Sequence, residues 1–201
     1  MQIGVPKETK NHEYRVGLAP SSVREIVSHG HQIVVEQQAG EGIGASDADY
    51  RSAGATVTED VARLFNECDM IVKVKEPQAD EREMLREGQI LFTYLHLAPD
   101  PEQTEDLVKS GATCIAYETV TSPHGGLPLL APMSKVAGRM AIQAGAHRLE
   151  QPHGGPPSNE AARASTMPTV TQDTHSTHPG QSNANRHYRR ASACTIFRSH
   201  H

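Results

Sequence analysis

Three residues carry the chemistry that the sequence offers most plainly: Arg15, Lys75 and His96. An arginine presents a planar fork that binds a carboxylate through two hydrogen bonds, whereas a lysine is a point charge that can pair with the same carboxylate or polarise a carbonyl. Histidine titrates near neutral pH and can move a proton. Together they suit recognition of a small oxo acid, although they supply no carrier for hydride. Each alone has a plainer reading. A lysine after a strand is ordinarily a solvated charge, and a histidine at a strand end is ordinarily a hydrogen-bonded structural group. The functional reading rests on all three falling in one place.

The elements that must bring them there are legible in the periodicity. Apolar and β-branched runs predict strands at 2–5, 31–37, 69–75, 89–96 and 112–118. Between them, helical spacing predicts helices over 20–30, 47–55, 59–67, 79–88 and 101–111. Parallel strands need a crossover connection, and a helix is the usual one. The alternation therefore predicts an α/β fold, a doubly wound, Rossmann-like parallel sheet covered on both faces. Such sheets bind ligands outside the carboxyl ends of their strands. Arg15 follows the first strand, Lys75 ends the strand at 69–75, and His96 ends the one at 89–96. All three fall at that edge.

Composition divides the chain of 201 residues near Glu150. Residues 1–150 hold 14 Lys and Arg against 22 Asp and Glu, while 151–201 hold 5 against 2, so the two parts have opposite net charge. Every leucine lies at or before Leu149. A stretch so poor in large apolar side chains cannot bury enough surface to offset the entropy of ordering its backbone. Residues 151–201 are expected to be a disordered tail, and the abrupt loss of pattern suggests out-of-frame translation after a frameshift near codon 150.

The tail's histidines, among them His175 and His178, are irregularly spaced with nothing to fix ligands, so no metal site is expected. ANRHYRRAS reads as solvated coil rather than a nucleic-acid arm. The opening MQIGVPKETK has no apolar leader, and no run approaches the roughly 20 apolar residues of a spanning helix. Cys68, Cys114 and Cys194 are odd in number and far apart, which suits reduced thiols. A soluble cytoplasmic protein without membrane or nucleic-acid partners is expected.

Beyond these readings, the chain resembles the amino-terminal part of an alanine dehydrogenase. The resemblance is carried by IGVPKETKNHEYRV, AGEGIGASDADYRSAGA, VKVKEP, LFTYLHLA, AYETV and GLPLLAPMS, in order and with the family's spacing, over residues 1 to about 150. The opening also resembles the transhydrogenase α subunit and, more weakly, saccharopine dehydrogenases. The resemblance implies NAD-dependent, reversible oxidative deamination of L-alanine to pyruvate and ammonia. It implies that Arg15 and Lys75 bind the substrate's carboxylate and keto oxygen, that His96 is the catalytic acid and base, and that Ser134 contacts the cofactor at the start of a helix over 134–150. It implies a homo-hexamer as well.

In that family a helix beginning near Met133 leads to a second Rossmann domain with G-x-G-x-x-G, after which the chain returns to complete the first. Neither is present in this sequence. The division expected is therefore a substrate domain over 1–132 with an incomplete sheet, a linking helix over 133–150, and the tail over 151–201. Gly40, Gly42 and Gly44 lack the third glycine at the required spacing and read as a turn whose glycines permit positive φ. The chain is expected to be inactive alone, with a substrate subunit of a split enzyme, or a transhydrogenase α-like protein, as the alternative.

Overall fold

The computed structural model describes residues 1–150. The expectations for 151–201, including the histidine tract and the basic segment, lie outside the described residues. Six strands form one sheet: β1 (Gln2–Val5), β2 (Gln32–Glu36), β3 (Thr56–Thr58), β4 (Met70–Val72), β5 (Ile90–Thr93) and β6 (Thr113–Ala116). Their order is β3-β2-β1-β4-β5-β6, and every pair is parallel. This is the order of a doubly wound dinucleotide-fold sheet, with the chain reversing direction across the sheet between β1 and β4.

The crossovers are α1 (Pro20–Ser28), α2 (Asp47–Ser52), α3 (Val61–Glu67), α4 (Ala79–Glu83) and α5 (Pro101–Ser110). Their ends carry local signals. Ser46 and Asp49 form a reciprocal capping box on α2, Asp60 accepts from the N–H of Arg63 at 2.9 Å, and Asp100 accepts from that of Gln103 at 3.0 Å. Pro20 and Pro101 open α1 and α5, where a missing N–H does no harm.

Strand residues alternate between two cores. Ile3, Val5, Ile33, Val35 and Val72 pack with Val23 of α1 and Tyr50 of α2. Ile71 and Leu91 pack with Leu64 and Phe65 of α3 and Leu107 of α5. Burial on both faces is why these strands read as unbroken apolar runs. Gly4 lets α3 come close: a Cβ there would meet Leu64 Cδ2 at 2.6 Å.

Several boundaries differ from the sequence reading. β3 was not anticipated, because its three residues are too few to show a period. The strands expected at 69–75 and 89–96 close at Val72 and Thr93, and the helix expected over 79–88 closes at Glu83. A second compact unit begins at Thr121. Its helix, α6 (Ala131–Leu149), starts three residues before Ser134 and has no buried residue. Among the described residues, no helix is long and apolar enough to cross a membrane.

Candidate functional site

Where β4 and β5 end, two carboxylates take over from the ladder. Main-chain pairing continues briefly, from the N–H of Lys73 to Phe92 O at 3.1 Å and from that of Tyr94 to Val74 O at 3.2 Å. Glu8 Oε1, from the segment after β1, then accepts the N–H of Val74 at 2.6 Å and of Lys75 at 3.4 Å. Glu118 Oε1, just past β6, accepts the N–H of Leu95 at 3.1 Å and of His96 at 2.8 Å. Thr93 Oγ1 donates to Lys75 O at 2.8 Å, and Gln103 Nε2 donates to Leu95 O at 2.6 Å. Lys75 and His96 therefore leave the sheet on backbones held by side chains.

The consequence at His96 is a left-handed conformation, φ 47°. Its side chain is exposed, and its ring stacks on Tyr94 with centroids 6.0 Å apart and planes 12° apart. Tyr94 and Phe92 each meet Tyr117 edge-on. Burial pushes the Tyr117 hydroxyl far above the ordinary phenol range, so it stays protonated. Lys75 is half-buried, and among the described residues its ammonium makes no hydrogen bond or ion pair.

Arg15 is held by a neighbour two residues away. Glu13 Oε1 accepts from both the backbone N–H and Nε of Arg15, at 2.9 and 2.8 Å, and Oε2 accepts from Nη2. The carboxylate is the inner partner, its side chain 6% exposed against 38% for arginine. Hydrogen bonding to Arg15 holds Glu13 below the ordinary carboxylate range, with a contribution from the charge of Lys75. The same bond raises Arg15, with further contributions from Tyr94 and Glu8. Both residues line a cavity of about 480 Å³ beside Lys7, Glu8 and Gln38.

The structure thus brings Arg15 and Lys75 into one electrostatic neighbourhood through Glu13, and Arg15 and His96 to a common neighbour, Tyr94. Lys75 and His96 are not among the cavity's lining residues. Ser134 lies in the second unit, one turn inside α6 rather than at its cap, where its hydroxyl donates to Leu130 O at 3.5 Å.

Sequence reasoning missed the charges beneath this surface. Lys73, 1% exposed, lies between two carboxylates: its Nζ is 2.6 Å from Glu81 Oε1 and 3.5 Å from Glu8 Oε2. Glu81 Oε2 also accepts the N–H of Gln78 at the start of α4. Burial raises the pKa of Glu8 despite the opposing charge of Lys73, and burial likewise raises that of Glu36, whose Oε2 accepts the N–H of Lys7 at 2.7 Å. A signal was available: a lysine in the middle of a run buried on both faces demands acidic partners.

The glycine-rich turn is taken up by chain packing. Gly44 has φ +74° and closes a single 3-10 turn, Glu41–Ile43, while Gly42 lies against the backbone of Tyr14, so that a Cβ would meet Tyr14 O at 2.1 Å. Positive φ holds at Gly44 but not at Gly40, where φ is −92°. A turn filled in this way does not fit a dinucleotide pyrophosphate, which needs free N–H groups opening onto a long helix. Among the described residues no group of three or more His, Cys, Asp or Glu could hold a metal ion.

The family model for the alanine dehydrogenase/PNT N-terminal domain matches residues 4–137. The chain is 63% identical to an alanine dehydrogenase of Halomonas elongata and 50% to one of Mycobacterium tuberculosis, each over 155 residues. In both cases the match covers 77% of this chain and 42% of the relative, so the chain spans less than half the length of these relatives. A solved L-alanine dehydrogenase superposes with TM-score 0.72 at 53% identity, over 77% of this chain and 43% of that one. A transhydrogenase from Sinorhizobium meliloti gives 0.55 at 30% identity, over 59% and 35%. The stretch matched is the one that builds the sheet and holds Arg15, Lys75 and His96, and the chain belongs to the alanine dehydrogenase/PNT family through its N-terminal domain.

Proposed function

We propose that this chain provides the substrate-binding domain of an NAD-dependent alanine dehydrogenase, acting on L-alanine and pyruvate. The observation that carries the reading is a guanidinium backed by a nearly buried carboxylate, an ammonium with no hydrogen bond or ion pair among the described residues, and an exposed imidazole, all on segments leaving the carboxyl ends of the sheet. Arg15 binds the substrate carboxylate, Lys75 pairs with the keto oxygen, and His96 moves the proton at the reacting centre. General acid and base assistance is worth only about 10² to 10⁴ in rate, so the hydride carrier remains indispensable. The glycine-rich turn, packed against the backbone of Tyr14, does not fit NAD. Likeness to the transhydrogenase is lower in both identity and TM-score, which favours the alanine dehydrogenase reading.

In this reading the protein works in the cytoplasm, consistent with dispersed free cysteines, and assembles as the family's hexamer. Titration of the chain with pyruvate, followed by NMR, tests it. Binding that is lost in both Arg15→Ala and Lys75→Ala is the expected outcome. Binding unaffected by either substitution overturns the assignment. NADH oxidation with pyruvate and ammonium is expected to stay at background for the chain alone.

A further inference from the structure

We propose that Glu8 is a positioning residue for Lys75, itself anchored from below by the buried ammonium of Lys73. The inference rests on the substrate-binding role just proposed for Lys75. One oxygen of Glu8 receives two consecutive main-chain donors, Val74 and Lys75, while its other oxygen faces Lys73 at 3.5 Å. The carbonyl of Lys75 is held independently by Thr93. The root of the Lys75 side chain is therefore fixed on both sides by side-chain groups, at the point where the ladder between β4 and β5 has run out.

The arrangement below is layered. Glu81 lies closer to Lys73 than Glu8 does, 2.6 against 3.5 Å, and is itself tied to the start of α4. Glu8 shares the Lys73 ammonium with the closer Glu81, and its burial is offset first by that charge and then by the main-chain donors of Val74 and Lys75. Glu8 also lines the cavity that Arg15 lines. The Glu8 carboxylate thus sits between the buried charges and the proposed ligand groups.

Charged and titratable groups facing Glu8 are Lys73 from the β4 end, Glu81 from α4, Arg15 from the loop after β1, and Tyr117 past β6. Glu36 of β2 shares the field of Lys73 and Glu81. Burial holds the Glu8 proton more tightly than that of a free carboxylic acid, so its titration is separable from that of surface acids.

The experiment uses the full chain and two readouts. In the first, the amide resonances of Val74 and Lys75 are followed against pH. Both are expected to move with one midpoint above the ordinary carboxylate range, and Glu8→Gln is expected to abolish that movement. Amides that ignore this titration, or that keep it in Glu8→Gln, overturn the proposal. This readout needs neither ligand nor a destabilising substitution.

In the second, pyruvate affinity is compared in Glu8→Ala, Glu8→Gln, Lys75→Ala and the double variant Glu8→Ala/Lys75→Ala. Glu8→Ala is expected to weaken binding roughly tenfold or more, Glu8→Gln to restore most of it because its amide oxygen still accepts, and the double variant to bind no worse than Lys75→Ala. Additive losses, or no rescue by Gln, overturn the proposal. If the unaltered chain binds no pyruvate, the substrate reading fails, whereas the amide titration still decides whether Glu8 holds Lys75. If Glu8→Ala does not fold, the first readout and Glu8→Gln decide it.

Discussion

Lys73 Nζ and Glu81 Oε1 lie 2.6 Å apart in the interior, their side chains 1% and 7% exposed, with Glu8 as a second carboxylate at 3.5 Å. Breaking a buried pair by removing one partner is far more damaging than never having built it, because the remaining charge has lost both water and counter-ion. Lys73→Met leaves two carboxylates in that position. Urea unfolding at neutral pH should show a loss of about 3–5 kcal/mol. The loss should shrink on acidification, since a protonated carboxyl needs no counter-ion.

Opposite pKa shifts give the chain a stability profile with two limbs. Glu8 and Glu36 have folded values raised above the ordinary 4.5, so the stability they contribute is present below 4.5 and is lost as pH rises through the raised values. Glu13 has a folded value lowered below 4.5, so its contribution is present above 4.5 and is lost as pH falls through the lowered value. Acidification from neutrality should therefore first bring the gain from Glu8 and Glu36 and only later the loss from Glu13. Unfolding free energies at stepped pH should resolve the limbs, with the upper one reduced in Glu8→Gln and the lower one in Glu13→Gln.

Gly42 tests the support of Arg15 from the other side. A Cβ at this position would meet Tyr14 O at 2.1 Å, a backbone atom that cannot rotate away. Gly42→Ala should displace the segment holding Glu13 and Arg15, with a stability loss of roughly 1–3 kcal/mol, in the range of overpacking. Pyruvate affinity should fall with it. Gly138→Ala in the interior of α6, where an added Cβ meets nothing within 4 Å, should leave pyruvate affinity unchanged and, if anything, add roughly 0.5–1 kcal/mol of helix stability.

Charge and fork are separable at Arg15. Arg15→Lys retains a cation but cannot reproduce paired donation to a carboxylate. A hydrogen bond to a charged group contributes about 1.5–3 kcal/mol, so loss of one should weaken pyruvate binding roughly 10- to 100-fold, as read by calorimetric titration. An affinity equal to that of the unaltered chain would mean that Arg15 acts as a point charge.

The place of the candidate residues in the fold could be read before any coordinates, and the reasons are specific. Placing Arg15, Lys75 and His96 at one sheet edge required only the alternation of elements and the rule that ligands gather at carboxyl ends. The overlong strands came from sequences such as DMIVKVK and QILFTYLH, whose side-chain pattern continues after β4 and β5 have closed. What ends those strands is acceptance of their N–H groups by Glu8 and Glu118, 66 and 22–23 positions away in the chain. No local pattern reports such partners. In VKVK the two lysines look equivalent, yet Lys73 is sealed inside and Lys75 reaches the surface. Two-residue periodicity puts them on one face of a strand and cannot say that the chain leaves the sheet between them.

The left-handed backbone at His96 has a bearing on how this position can vary. Residue 96 must satisfy φ 47° before any side-chain chemistry is considered, with its N–H committed to Glu118. Asparagine, aspartate and glycine occupy that region readily, whereas valine, isoleucine and threonine are excluded by their branched Cβ. A saturation library at this codon would thus be sorted twice, first by whether each residue can make the bend and only then by whether it can handle a proton. Survivors of the first sieve that fail the second are the informative ones: His96→Asn would keep the turn and discard the imidazole, separating architecture from reactivity at a single site.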